Sequence, residues 1–295
     1  AGLTGFVVPH ADEYQSEYLP PSAERLAWLT GFTGSAGAAL VPAGTAAIFV
    51  DGRYTLQARG QTDGALFAPE NLIDNPPAAW LAAHAGKGDR IGYDPWLMTA
   101  SEVRRYDEAC ASAGAAFVPV ADNPLDRVWS DRPASPLAQV SVHADRFAGE
   151  PAAEKIARLQ KRLAEKNIDA AVLTQAGSIA WLLNIRGGDV AHVPLALAYA
   201  SVPREGRPAL YIDGRKLNNE VRHALEELAD VREPAALGKD IAAFKGKSVL
   251  LDRASAADAL SRQITEAGGT GTRGADPTAI MKAPMVAMWL FISQP

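Results

Sequence analysis

The sequence predicts an α/β protein built from two tandem copies of one domain. Three observations lead there. The tripeptide Asp-Gly-Arg ends an apolar run of strand type twice, in AAIFVDGRYTLQA (46–58) and in PALYIDGRKLNNE (208–220). A short helical segment carrying Trp-Leu precedes each corner, at Trp28-Leu29 and at Trp181-Leu182. A strand ending in aspartate follows each corner roughly 40 residues later, at Asp94 and Asp252. Asp-Gly alone is a common turn pair. Landmarks in one order at similar intervals mark an internal repeat.

The elements follow in order. LTGFVVP (Leu3 to Pro9) reads as a buried strand ended by proline. SAERLAWLTGF has a helix start at Ser22 and a stop at Gly31. Strands are predicted at Ala38 to Val41 and Ala46 to Val50, joined by a Pro-Ala-Gly turn, then a helix from Tyr54 to Arg59. Trp80 to Ala85 belongs to another helix, RIGYDP to a strand, and TASEVRRYDEACASAG to a capped helix stopped by Gly114. AAFVPV closes the first unit. ADNPLDRVWSDRPASPLAQV holds three prolines and no sustained period, which is linker chemistry, and places a domain boundary near residue 137.

The second half repeats the scheme. PAAEKIARLQKRLAEKN has apolar residues at Ile156, Leu159 and Leu163 and a charged opposite face, as an amphipathic helix requires. IDAAVLT, LALAYASV, PALYIDGR and KSVLLDRAS read as strands; SIAWLLNI, LNNEVRHALEELA and SAADALSRQITEAGG read as helices.

Composition bounds the function. The chain's 295 residues leave room for two ordinary domains, and 48% hydrophobic with 21% charged residues suit a soluble globular protein. A net charge of −5, well mixed along the chain, gives no footprint for nucleic acid. A single cysteine, Cys110, allows no intrachain disulfide and points to a reducing, cytoplasmic setting. AGLTGFVVPHADE is not a signal peptide, and no run approaches the roughly 20 apolar residues of a membrane span.

No assembled catalytic site is legible. The five histidines, His10, His84, His143, His192 and His223, are scattered, and none lies at metal-ligand spacing from another. There is no Gly-x-Ser-x-Gly elbow. Cys110 lies on a helix as a small buried hydrophobe. Asp63 and Asp74 lack further ligands and read as solvated loop residues. TGFTGSAG (30–37) lacks the lysine of a phosphate loop, so its glycines read as a sharp turn into the next strand.

Two positions stand out. Arg53 follows a buried strand at the carboxyl edge, where open α/β sheets place ligands, and its planar fork suits a peptide carbonyl or carboxylate. A salt bridge with Asp51 is the alternative. His192 sits in RGGDVAHVPLAL among Arg186, Asp189 and Pro194, either on a loop at a cleft or as a hydrogen-bonded structural histidine.

QSEYLPPSAERLAWLTGFTGSAGAALV, AAIFVDGRYTLQA, VWSDRPASP, IAWLLNIRGGDVAHVPLALAYA and DPTAIMKA together resemble the large, three-domain Xaa-Pro aminopeptidases of the creatinase/prolidase metallopeptidases. The resemblance runs from about Phe6 to Ala283. It implies that residues 1–137 and 138–283 are two creatinase N-terminal-type domains, each a three-layer α/β/α unit with a mixed sheet and a ribonuclease H-like motif.

The resemblance also implies removal of an N-terminal residue from peptides with proline second. In the family two divalent metals, usually manganese, are held in a third, pita-bread domain by two Asp, one His and two Glu, and a bridging hydroxide attacks the scissile carbonyl. After DPTAIMKA this chain reads PMVAMWLFISQP (284–295), unlike the family's polar helix, so the catalytic domain is expected to be absent and no metal ligand or other cofactor is assigned within the chain. Arg53 carries over as the arginine that contacts bound peptide, Tyr54 stands beside it, and His192 matches the Asp-Val-x-His-x-Pro motif, with Val193 where the family usually has Asn. The expected partners are proline-containing peptides, the protein's own catalytic domain and, for the full-length parent, a second copy in a homodimer. A stand-alone peptide- or protein-binding module on the same scaffold is the other reading.

Overall fold

The computed structural model describes residues 2–279, apart from 43 and 45, together with residue 281. The expected atypical tail, Met285 to Ile292, lies outside the described residues. The chain falls into two compact units that divide between Ser135 and Pro136, with Ala257–Ala259 grouped with the first. Among the described residues no helix is long and apolar enough to cross a membrane.

The first unit is a six-stranded mixed sheet. Its strands are β1 (Gly5–Pro9), β2 (Gly37–Pro42), β3 (Ala46–Val50), β4 (Phe67–Asn71), β5 (Arg90–Tyr93) and β6 (Ala116–Pro119), in the order β4-β3-β2-β1-β5-β6. The β1/β2 and β2/β3 pairs are antiparallel; β1/β5, β3/β4 and β5/β6 are parallel. Helices α1 (Arg25–Thr30), α2 (Thr55–Gln61) and α5 (Pro124–Val128) supply Leu26, Ala58 and Leu125 to a core with Phe6, Val8 and Ile48. Helices α3 (Pro77–His84) and α4 (Ala100–Ser112) supply Trp80, Leu81, Tyr106 and Cys110 to a second core with Val7, Phe49 and Ile91. Neighbouring strand residues such as Val7 and Val8 point to opposite faces, so the one sheet feeds two apolar layers.

The second unit repeats this sheet. Its elements include α7 (Ala152–Glu165), β8 (Ala170–Leu173), α8 (Ala176–Leu182), β10 (Tyr199–Pro203), β11 (Ala209–Tyr211), α9 (Asn219–Leu228), β12 (Asp230–Arg232), α10 (Ala236–Ile241), β13 (Ser248–Asp252), α11 (Asp258–Glu266) and β14 (Thr270–Gly274). A short pair, β7 (Ser141–Val142) and β9 (Ile185–Arg186), forms a separate ribbon, and α6 (Asp145–Ala148) follows β7. The main order is β12-β11-β10-β8-β13-β14. Registers agree to the residue. Gly5 faces Pro42 and Ile91 as Ala170 faces Pro203 and Val249. Ala47 faces Leu40 and Ala68 as Ala209 faces Ser201 and Asp230. This register puts Asp51 and Asp213 at equivalent strand ends.

Several local expectations are corrected. The helix start predicted at Ser22 is a 3-10 turn, Pro21–Ala23, and the α-helix begins at Arg25. The proline-rich stretch read as linker contains α5, because Pro124 occupies the first helical position, where its missing N–H costs nothing. Leu125 and Trp129 of that stretch are buried. The sheet edges β4, β12 and β14 were not anticipated.

Candidate functional site

The Asp-Gly-Arg corner is built by its aspartate. Asp51 ends the buried strand β3 in an extended conformation, and its Oδ1 accepts the Arg53 backbone N–H at 2.9 Å, capping the 3-10 turn Gly52–Tyr54 that leads into α2. The same carboxylate takes the arginine's fork: Arg53 Nε donates at 3.0 and 3.2 Å and Nη2 at 2.5 Å. Arg53 holds the Asp51 carboxyl below its ordinary pKa chiefly through this side-chain hydrogen bond. The Arg53 side chain is nevertheless 71% exposed, so the guanidinium keeps an open face.

Tyr54 ties the corner to the glycine-rich loop. Its hydroxyl lies 2.7 Å from Ser35 Oγ, its ring meets Phe32 edge-on at 5.7 Å, and the Arg53 guanidinium carbon stands 5.2 Å from its centroid. Thr33, Gln57 and Gln61 continue the polar surface: Gln61 Oε1 accepts the Thr33 backbone N–H at 3.0 Å, and Gln57 Nε2 donates to Gln61 Oε1 at 3.1 Å. The loop glycines serve packing. Gly31 closes α1 at φ +79°, and a side chain on Gly34 would run into the Phe32 ring. The structure thus brings Arg53 and Tyr54 onto one exposed polar surface.

The second copy has the same corner with a different sequel. Asp213 Oδ1 accepts Arg215 N–H at 2.9 Å, and Arg215 Nη2 donates to Oδ2 at 2.6 Å; the Arg215 side chain is likewise 71% exposed. Asp213 is pulled down to about 2, first by the Arg215 side-chain hydrogen bond. Where the first copy continues with Tyr54, the second has Lys216. Its Nζ donates to Asp189 Oδ2 at 2.6 Å and to the Leu197 carbonyl at 3.2 Å, with both charged side chains buried. Asp189 also accepts the Leu197 and Ala138 backbone N–H groups. In each copy, then, the residue after Asp-Gly-Arg tethers the loop that precedes the second strand.

His192 lies on that second loop. It sits at φ +65° in a tight turn between Val190 and Val193, where the Val193 N–H reaches the Val190 carbonyl at 3.4 Å, and it is exposed. The polar stretch RGGDVAHVP therefore has two parts. Asp189 is a buried anchor, and His192 is presented at a turn tip. The role of Lys216 has no local signal, because its partner is far away in sequence.

Cys110 is buried and its thiol is pushed up to about 11, first by desolvation. Asp63 accepts the Ala65 N–H within its own loop. Among the described residues no group of three or more His, Cys, Asp or Glu is placed to hold a metal ion, so these residues do not fit a dinuclear metal centre.

The chain is similar to known proteins over most of its length. Residues 1–128 and 131–284 each match a family model described as a creatinase/prolidase N-terminal domain. A probable Xaa-Pro aminopeptidase P of Neosartorya fischeri is 36% identical over 271 residues, covering 91% of this chain and 39% of the relative. Its counterpart in Coccidioides posadasii is 38% identical over 264 residues, covering 85% of this chain and 40% of the relative. The chain therefore spans about 40% of the length of these curated relatives. A crystal structure of an X-prolyl aminopeptidase from Caenorhabditis elegans, described as a cytosolic enzyme with a di-nuclear active site, matches with a TM-score of 0.87 at 26% identity, over 95% of this chain and 47% of that one. The chain belongs to the creatinase/prolidase family and carries two of its N-terminal domains in tandem.

Proposed function

We propose that this chain is the non-catalytic N-terminal portion of a metal-dependent Xaa-Pro aminopeptidase, contributing to substrate gating and assembly. The observation that carries this reading is the pattern of coverage: proteins described as Xaa-Pro aminopeptidases match almost all of this chain while it spans about 40% of theirs. Two divalent metals, manganese in the first instance, would be held by the remainder of the polypeptide and would supply the attacking hydroxide. The residues of this chain would bind and orient the peptide. Arg53 offers an exposed guanidinium beside Tyr54, and the exposed His192 turn is a second polar contact point. A cytosolic setting, a homodimer and contact with the protein's own catalytic domain belong to the same reading.

The test compares two purified proteins supplied with manganese, this chain and the full-length polypeptide, on an Arg-Pro-Pro peptide. Release of arginine by the full-length protein alone is expected. Sustained release by this chain alone, or none by the full-length protein, would overturn the reading.

A further inference from the structure

Between α9, the β7/β9 ribbon and the first turn of α7, the second unit holds a pocket of about 170 Å³. Val142, Leu183, Ile185, Leu225 and Leu228 line it with apolar side chains. An apolar cavity of about 150 Å³ holds a benzene-sized molecule, so this one admits an occupant of about six heavy atoms. Val142 is 47% exposed, a large apolar side chain left in contact with water beside the opening.

The charges on the lining are of one sign. Among the described residues that line the pocket, the two that carry charge are Asp145 and Glu227. Asp145 Oδ1 accepts the Asn184 side-chain amide at 3.1 Å. The buried Lys155 does not line the pocket. Its Nζ is held by Asn184 Oδ1 at 2.6 Å and by the Trp181 carbonyl at 3.0 Å.

The last turn of α9 points the same way. A helix C-terminus is the negative end of the dipole and favours Lys, Arg or protonated His nearby. Helix α9 ends instead in Leu-Glu-Glu-Leu (225–228), with no basic residue in that turn. Glu226 is compensated by Arg222 at 3.6 Å, and Arg207 Nη2 donates to the Glu226 carbonyl at 2.6 Å. Glu227 meets His223 at 3.6 Å, a group charged only when protonated. Sequences break such local rules chiefly at functional sites.

We propose that this pocket binds a short alkylammonium group, a chain of about five carbons ending in a primary amine. The aliphatic stem would lie on Ile185, Leu225 and Leu228, and the ammonium would meet Glu227 at the negative end of α9. Asp145 adds a second negative charge. The first turn of α7 is the positive end of its helix, which places the ammonium on the α9 side. This chemistry belongs to a free aliphatic amine or to a lysine side chain. An alcohol or a carboxylate of the same length does not satisfy Glu227.

The test is calorimetric titration of the full-length polypeptide with n-pentylamine at neutral pH. Saturable binding is expected, at least about 5-fold tighter than for n-pentanol or pentanoate, the scale of a partly exposed ion pair. Glu227→Gln alters an exposed side chain outside the core and is expected to weaken amine binding about 5-fold. Ala224→Phe fills the pocket and is expected to abolish binding, with thermal unfolding checking that the variant stays folded. A blocked Ala-Lys-Ala peptide is titrated in parallel. Its binding assigns the pocket to lysine side chains, and its failure to bind assigns the pocket to free amines. No saturable binding of pentylamine, equal binding of pentanol or pentanoate, or an affinity unchanged in Glu227→Gln would each overturn the proposal.

Discussion

Lys216 closes on Asp189 at 2.6 Å with both side chains out of solvent, and Tyr54 makes the corresponding tether to Ser35 at 2.7 Å on the surface. One repeat therefore holds its loop by a buried ion pair and the other by a hydroxyl contact.

Removing one partner of a buried, hydrogen-bonded pair leaves an uncompensated charge, which costs on the order of 3–5 kcal/mol. Lys216→Met is expected to lower stability by about that amount, with Asp189 stranded among backbone groups. Ser35→Ala cuts only the exposed tether and is expected to cost less than about 1 kcal/mol. Urea unfolding of the two variants checks the contrast, and similar losses would refute it.

A second charged cluster, gathered around the buried Arg25, sets an acid dependence. Arg25, only 2% exposed, donates to Asp126 at 2.7 Å and to Glu13 at 2.9 Å, and Arg132 also reaches Asp126 at 2.7 Å. Burial pushes the Asp126 carboxyl up, but the hydrogen bonds and charges of the two arginines outweigh it and hold the group below its ordinary pKa. A carboxylate depressed in the folded state stabilises it fully above the unfolded pKa of about 3.9, and that contribution is lost as pH falls through the folded value. Arg25→Met is expected to cost about 1–3 kcal/mol at pH 7, since it removes hydrogen bonds to charged groups while Asp126 keeps Arg132. The gap from wild type should narrow as pH falls through that window. Denaturant titrations at pH 7 and in acid read it directly.

The glycines of the first unit separate by physical role. Gly31 has φ +79°, and an added Cβ would stand 2.6 Å from the Gln61 carbonyl oxygen. Gly31→Ala is expected to cost about 1–3 kcal/mol by thermal unfolding. Gly52, inside the Asp-Gly-Arg corner, meets nothing within 4 Å and has no left-handed φ. Gly52→Ala is therefore expected to leave stability unchanged. Equal losses at the two sites would contradict the packing account.

These contrasts show what a sequence displays and what it hides. The central strands were legible, because runs such as AAIFV and AAVL are buried on both faces. The edge strands FAPEN, DVR and TGTRG were not, since an edge buries little and polar or glycine residues suffice there. Helix α5 was concealed by the proline that starts it. At the site, the Asp51–Arg53 contact was foreseeable as a local pair two residues apart. The Lys216–Asp189 pair was not, because a lysine after arginine reads as a solvated charge until the fold brings the distant aspartate beneath it.

The arginines provide the sharpest functional comparison. Arg53 and Arg215 share the same aspartate clamp and the same 71% exposure, so a difference between their variants would report what surrounds each corner in the full-length polypeptide. If Arg53 meets bound peptide, its guanidinium supplies charge-assisted hydrogen bonds, which are stronger than neutral ones. Their loss corresponds to a fall in kcat/KM of about 10- to 150-fold. In the full-length polypeptide Arg53→Ala is expected to show that fall on an Arg-Pro-Pro peptide, with metal content and folding nearly unchanged. Arg215→Ala is expected to change kcat/KM by less than about 3-fold, since exposed ion pairs contribute little by themselves. Steady-state kinetics on both variants decide the matter. Equal effects at the two arginines, or full activity in Arg53→Ala, would return Arg53 to the role the structure already shows, the partner of Asp51.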